Sequence, residues 1–309
     1  MQLIRMDVNR VEMGFLTKIA RNILPYCVTE YLGSRNIIPV CPGGYSSPYA
    51  SKKEIKQYNF NAPYPETLQG IDLNTTEQMD LLNTFDLFYN ELPFTDEKQK
   101  RLRYYYNNSW FGYSDAIFLY CMLRHLKPKK IIEVGSGFSS SVMLDTNELF
   151  FENSINCTFI EPYPQRLESL LNNCGKNFEI LKSKVQEISK EVFQKLGEND
   201  ILFIDSSHIS KFNSDVNYLI HQILPELSDG VYIHFHDVVY PFEYSKKAIL
   251  NGDNEAYILR AFLQYNKEFK IAMFHSYLRR MYTAEIKNRF PLLSQHSGGS
   301  IWLKKQSVN

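Results

Sequence analysis

The sequence predicts an α/β protein built on a mostly parallel sheet with helices on both faces, closed by an antiparallel C-terminal strand. Three observations carry this. From about Trp110, short apolar segments alternate with longer amphipathic ones, the pattern of strands buried on both faces and joined by helices. The first segment runs directly into Gly135-Ser136-Gly137, a small-residue turn that lets a ligand approach backbone amides where a helix starts. Polar residues gather at the strand ends, where such sheets bind their ligands.

Taken in order, residues 1–109 lack the alternation and read as an N-terminal extension, a cap or a set of substrate or oligomer contacts. Pro25, Pro39, Pro42, Gly43, Gly44, Pro48, Pro63 and Pro65 break it into turns. Within it, Gly14–Tyr26 is interrupted by Lys18 and Arg21 and reads as an amphipathic helix docked on its own protein, a poor signal-peptide core. Thr75–Leu92 is a helix capped by Thr75 or Thr76, with Met79, Leu82, Phe85 and Leu87 near helical spacing. Residues 110–309 form the ligand-binding domain. The apolar helix Tyr113–Leu126 ends around Pro128. Strand Ile131–Val134 follows, then strand Cys157–Glu161 with helix Tyr163–Cys174, and strand Phe178–Leu181 with helix Val185–Leu196. Strand Asp200–Asp205 precedes helix Phe212–Leu227, and strand Val231–His236 precedes helix Asn254–Tyr265. Phe269–Phe274 and Ser300–Lys304 close the chain as strands.

Lys and Arg number 34 against 34 Asp and Glu. The balance removes the basic field of a dedicated nucleic-acid binder. At 44% hydrophobic and 22% charged residues, the chain has ample apolar surface to offset chain entropy. No apolar run approaches the roughly 18–20 residues of a membrane helix. Cys27, Cys41, Cys121, Cys157 and Cys174 are odd in number and lack C-x-x-C spacing, against a disulfide framework or a structural zinc site. Cys121 and Cys157 read as core residues, and a cytoplasmic location suits the set. The 21 Tyr and 21 Phe read first as core packing. A homo-oligomer is left open.

The strand ends name the site. The first ends at Glu133-Val134-Gly135-Ser136-Gly137, the second at Glu161, the fourth at Asp205-Ser206-Ser207-His208, the fifth at His234-Phe235-His236-Asp237. Glu161 stands 26 residues after Gly135, where a carboxylate can accept ribose hydroxyls. Ser140 replaces the third glycine of the dinucleotide fingerprint, so no close pyrophosphate approach is specified. A nucleoside without a diphosphate, such as S-adenosylmethionine, fits better than a nicotinamide dinucleotide. Asp205, His208, His236 and Asp237 together offer carboxylates and imidazoles that can ligate a divalent ion or move a proton.

At these residues the chain resembles a family. IIEVGSGFSS, CTFIEPYPQRL, ILFIDSSH and VYIHFHDV look like the successive motifs of the Rossmann-like class I S-adenosylmethionine-dependent methyltransferases. The likeness is greatest to those with D-x-x-H after strand four and H-D after strand five, similar to catechol-type and macrolide-sugar O-methyltransferases. It covers about Trp110 to Leu303. The resemblance implies that Glu133, Gly135, Ser136 and Gly137 face the methionine half of the cofactor. It puts Glu161 on the ribose, with Pro162, Tyr163, Val185 and Gln186 about the adenine. It also implies Asp205 beside the cofactor, His208 as general base, and Asp205, His236 and Asp237 as ligands of a divalent metal. His236 departs from the two-oxygen pattern of magnesium sites and suits zinc, iron or manganese better.

The acceptor would be a polar small molecule, a sugar or sugar-linked metabolite, methylated on a hydroxyl. Candidate walls are Tyr105 and Trp110, Tyr240 after strand five, and Arg279 with Arg280 and Arg289 in the insertion Ser276–Ser297. His234 reads as a hydrogen-bonded core histidine, while His275 and His296 could face the cleft. Two other classes stay open: a metal-dependent non-methylating enzyme, hydroxylase-like, on the same scaffold, and a non-catalytic cofactor-binding protein.

Overall fold

The computed structural model of the protein describes residues 42–307 apart from 44, 46, 172–177 and 297. The expected helix Gly14–Tyr26, and Cys27, Cys41 and Cys174, lie outside the described residues. The described residues divide into two compact units: one holds those up to Ala62 with Ser245–Gly252, the other those from Pro63 to Tyr244 and from Asp253 onward. In the first, helices α1 (Lys52–Gln57) and α8 (Lys246–Asn251) are each capped by a serine, Ser51 and Ser245.

The second unit carries the sheet. Helices α2 (Thr75–Tyr89) and α3 (Tyr113–Leu126) precede β1 (Lys130–Val134). Then come α4 (Phe138–Phe150), β2 (Asn156–Ile160), α5 (Gln165–Leu171), β3 (Phe178–Leu181), α6 (Lys190–Phe193), β4 (Ile201–Ile204), α7 (Asp215–Tyr218) and β5 (Tyr232–His236). Helix α9 (Glu255–Tyr265), β6 (Phe269–Phe274), α10 (His275–Met281), α11 (Thr283–Arg289) and β7 (Ser300–Lys305) complete it. The strand order is β3-β2-β1-β4-β5-β7-β6. Strands β1 to β5 run parallel, and β7 is antiparallel to both neighbours.

Register places the site. Val134 pairs with Ile160 and Ile204, and Ile204 with Phe235. The carboxyl ends of β1, β2, β4 and β5 therefore stop in one row, and the next residues of each leave the sheet together. The strands are held by their apolar side chains: all four residues of β4 are buried, as are Ile131, Val134, Ile160 and Phe235. Edge strand β6 is closed by amide side chains of the preceding segment. Asn74 donates Nδ2–H to Ile271 O at 3.0 Å, and Phe274 N–H donates to Gln78 Oε1 at 2.6 Å. Those bonds cover backbone groups that an open edge would present to another chain.

Three helices differ from the sequence expectation. Helix α2 starts behind Asn74, which sits at φ 48° without a side-chain cap, and ends at Tyr89. Leu82 and Phe85 are buried, but Leu87 is exposed. Val185–Leu196 splits into a 3₁₀ turn, Val185–Glu187, and the four-residue α6, because Ile188 and Ser189 are extended. Phe212–Leu227 begins only at Asp215, behind the Ser214 cap, and passes through a π turn, Leu219–Ile223, into a 3₁₀ end at Pro225. Proline has no N–H for the i→i−4 bond, so the ladder changes pitch there. The Ser276–Ser297 insertion is helical, in α10, α11 and the 3₁₀ turn Pro291–Ser294. No described helix is long and apolar enough to cross a membrane.

One buried ion pair ties the segment before α3 to the sheet domain. Arg103 Nη1 lies 2.6 Å from Asp145 Oδ1, with side chains 7% and 0% exposed. Asp145 Oδ2 also accepts from the amides of Arg103 and Tyr104 at 2.8 and 2.9 Å. Removing one partner of such a pair strands a buried charge and costs about 3–5 kcal/mol. Arg103→Ala should therefore lower the melting temperature by roughly ten degrees. A shift of less than a degree in a thermal melt would show that the pair contributes little.

Candidate active site

The row of strand ends is drawn together by backbone bonds. Gly135 N–H donates to Ile160 O at 3.0 Å, and Asp205 N–H to Val134 O at 2.8 Å. Gly135 takes φ +81°, and a Cβ there would lie 1.9 Å from the Asp205 carbonyl oxygen. No residue with a side chain fits. Glu161 orders the neighbouring turn, its carboxylate accepting from Ser136 N–H at 3.1 Å and Tyr163 N–H at 2.7 Å.

Gly135, Glu161, Pro162, Val185, Gln186 and Asp205 line one cavity of about 680 Å³, within the range of small-molecule sites. The sequence reading missed Ser207, Lys211 and Asp215, which also line it. Their signal was the Ser- and Asn-rich loop after β4, in the strand-end zone. Glu133, Ser136 and Gly137 do not line that cavity. Glu133 is fully buried under α4, accepting from the hydroxyls of Ser139, at 2.5 Å, and Ser140. Burial pushes its carboxyl up to about 8, against those hydrogen bonds.

Beside the cavity stands His208, at φ 59°. Its Nδ1 is 3.0 Å from Glu255 Oε2, and its Nε2 is 3.3 Å from Asp205 Oδ1 and 3.8 Å from Asp237 Oδ2. Glu255 is 1% exposed and also accepts from Ser206 Oγ at 2.8 Å. Sequence reasoning missed Glu255, because it comes from the first turn of α9 and not from a strand end. Burial pulls the His208 imidazole down, but Asp205 and Glu255 outweigh it and hold the group up at about 11. The Asp205 carboxyl is held low despite burial, chiefly by His236 and His208. His236 is raised despite burial, by Asp237, Asp205 and Asp115. Its Nε2 lies 3.7 Å from Asp237 Oδ1, and its Nδ1 has no hydrogen-bond partner.

Asp115, on the first turn of α3, is a second group the sequence did not disclose. It is 3% exposed, its Oδ1 has no hydrogen-bond partner, and burial pushes its carboxyl up to about 6. Arg279 Nη1 reaches the same corner, 3.5 Å from Ser114 Oγ and 3.4 Å from Gly298 O.

Asp205, His236 and Asp237 do not fit a divalent ion as arranged. The imidazole of His208 stands between the two carboxylates and supplies the positive charge an ion would bring. Among the described residues no group of three His, Cys, Asp or Glu is placed to hold a metal. Of the expected acceptor walls, Trp110 is 62% exposed and carries Arg166 over its ring at 3.7 Å, while Tyr105 packs on Phe138 at 5.6 Å. Tyr240 is a core residue instead of a cleft wall, fully buried against Phe274 and Tyr277 with its hydroxyl on Pro65 O. His275 is likewise buried, accepting from Ser300 N–H at 3.1 Å, and burial pushes it down to about 3. His234 is in the core as expected but not hydrogen-bonded. It stacks on Phe203 at 3.9 Å, and neither ring nitrogen has a partner. His296 is exposed, and Cys121 and Cys157 are buried free thiols.

Fold and cavity define an α/β protein with a cavity at its strand ends and a cluster of carboxylates and imidazoles beside it. Residues 132–238 match the family model described as a methyltransferase domain. An uncharacterised protein of Archaeoglobus fulgidus is 33% identical over 167 residues, 52% of this chain and 75% of that one. Among solved structures, the chain is similar to the O-methyltransferase TomG of Streptomyces achromogenes, involved in tomaymycin synthesis and solved with S-adenosylmethionine. That match has a TM-score of 0.45 and 13% identity over 75% of this chain and 99% of that one. It is also similar to the Podospora anserina methyltransferase PaMTH1, bound to S-adenosylhomocysteine, with a TM-score of 0.41 and 14% identity over 74% of this chain and 88% of that one. Over residues 132–238 the chain is thus similar to a methyltransferase domain.

The glycine turn gives a direct test. Gly135→Ala forces a Cβ onto the Asp205 carbonyl and must push β1 and β4 apart at the cavity floor. The variant should fold with a lowered melting temperature and bind S-adenosylhomocysteine at least about tenfold more weakly, on the order of 1.4 kcal/mol. Wild-type affinity in calorimetry would place the ligand away from this turn.

Proposed function

We propose that the protein methylates a hydroxyl oxygen of a polar small molecule, a sugar or sugar-linked one, with His208 taking the hydroxyl proton. The observation that carries this is the line Glu255–His208–Asp205, at 3.0 and 3.3 Å, ending on a residue that lines the cavity. S-adenosylmethionine supplies a methyl group on a sulfonium, which needs only an aligned acceptor and a proton sink. Glu161 would accept from the ribose hydroxyls, with Pro162, Val185 and Gln186 about the adenine. Asp115 Oδ1 and His236 Nδ1, buried and without hydrogen-bond partners, favour an acceptor with several polar groups, since unpaired buried atoms discriminate against one that lacks them.

The pH dependence follows from the charge around His208. Held up at about 11 from its ordinary 6.5, the resting imidazole is protonated at neutral pH and accepts a proton only after losing one. Turnover should therefore rise with pH through the alkaline range. Glu255→Gln removes a carboxylate that favours the imidazolium, so its profile should shift to lower pH. A folded pKa above the unfolded one means that this pairing stabilises the fold fully below about 6.5 and is lost as pH rises through about 11. The melting difference between wild type and Glu255→Gln should shrink accordingly. His208→Gln should cut the single-turnover rate by about 10²–10⁴-fold with cofactor affinity kept. A variant that loses stability but keeps specific activity would make His208 a packing residue.

The donor arrangement also predicts turnover in excess chelator. Loss of turnover on chelation, restored by a divalent ion, would instead put a metal among Asp205, His236 and Asp237.

A further inference from the structure

We propose that Arg166, laid flat on Trp110 beside the glycine turn, is the receptor for the carboxylate of the cofactor's methionine half; this rests on the methyltransferase reading above. Arg166 is the second residue of α5. Its guanidinium carbon lies 3.7 Å above the Trp110 ring, and its stem crosses the turn, where a Cβ on Gly137 would meet its Cδ at 3.4 Å. An indole left 62% exposed is an uncommon surface feature, and here it fixes the plane of a cation. Stacking takes up the face of the guanidinium and leaves its edge of N–H donors in the plane, the geometry that grips a carboxylate with two parallel bonds.

The charges around the turn point the same way. Glu161 and Asp205 are acidic, and Glu133 is buried under the hydroxyls of Ser139 and Ser140. Arg166 stands against Gly137 of this turn, whereas Lys184 and Lys211 line the cavity itself. The field of Arg166 reaches Asp205 and helps to hold that carboxyl low, yet the ion pair at Asp205 is made by His208. Among the described residues Arg166 forms no ion pair of its own. The cavity runs from Val185 and Gln186 to Gly135 and Asp205. A nucleoside seated against Glu161 would extend its amino-acid tail along the turn toward Arg166. Because Arg166 is exposed, the bond should be screened by salt.

The test compares two ligands that differ only in the tail. S-adenosylhomocysteine carries the amino-acid carboxylate, whereas 5′-methylthioadenosine carries the nucleoside and sulfur without it. Calorimetric titration of Arg166→Gln should show S-adenosylhomocysteine weakened about three- to thirtyfold, with methylthioadenosine unchanged within about twofold. Salt should weaken S-adenosylhomocysteine binding in the wild type and much less in the variant. Trp110→Ala should give a smaller loss of the same kind, and Trp110→Phe should restore most of it. Equal loss of both ligands would make Arg166 structural, and no loss of either would move the carboxylate receptor elsewhere; both overturn the proposal. Failure of the wild type to bind either ligand would instead defeat the methyltransferase reading itself.

Discussion

The site depends on one close approach of two backbones. Val134 accepts from Asp205 N–H at 2.8 Å, and one residue later Gly135 passes so near the Asp205 carbonyl that a Cβ would sit 1.9 Å from it. That contact lets β1 turn away into α4 while β4 stops beside it. It brings the glycine turn, Glu161 and Asp205 to one cavity wall. A larger residue would open the strand ends and separate the glycine turn from Asp205.

Charge organises what geometry has gathered. Asp205, Asp237 and Glu255 converge on the single imidazole of His208, and Asp205, Asp237 and Asp115 act on His236. Uncompensated, such carboxylates would repel one another in a partly buried place. With the protonated His208 imidazole among them, part of that repulsion is offset without an ion. The same arrangement makes His208 reluctant to lose its proton, so a cation arriving near Asp205 would favour the neutral imidazole.

The sheet was legible because its strands are short, apolar and buried on both faces, and each ends on a polar residue. Strand ends such as Glu161 and Asp205 could be placed by counting. Glu255 and Asp115 could not, since both sit on first turns of helices, where an acidic residue is equally explained by the helix dipole. Only the fold shows that those helices point at His208 and His236. Tyr240 and His275 were misread for the converse reason. They follow β5 and β6 at the right end of the sheet, but Tyr240 packs on Phe274 and Tyr277, and His275 opens α10 against Phe118 and Ser300, so both are core. The breaks at Ser189 and Pro225 were visible as a cap residue and a proline, outweighed by the apolar periodicity on either side.

The loops that carry His208 and Asp237 also hold backbone in the left-handed region. His208 and Asp237 take φ 59° and 55°, and Asn213 takes 53°, conformations that cost non-glycine residues of order 1 kcal/mol or more. At His208 the surroundings fix the conformation. Ser206 Oγ accepts its N–H at 3.0 Å, and its carbonyl accepts from Asn254 and Glu255 N–H at 2.9 and 3.1 Å. The start of α9 thus holds His208 twice, by its amides on the carbonyl and by the Glu255 carboxylate on Nδ1. One helix end sets both the backbone and the ring of the proposed base, which keeps Nε2 aimed at Asp205 while leaving Asp237 exposed on its own loop. The start of α9 therefore fixes the part of the cluster that stands against Asp205, while Asp237 approaches the same ring from β5 at 3.8 Å.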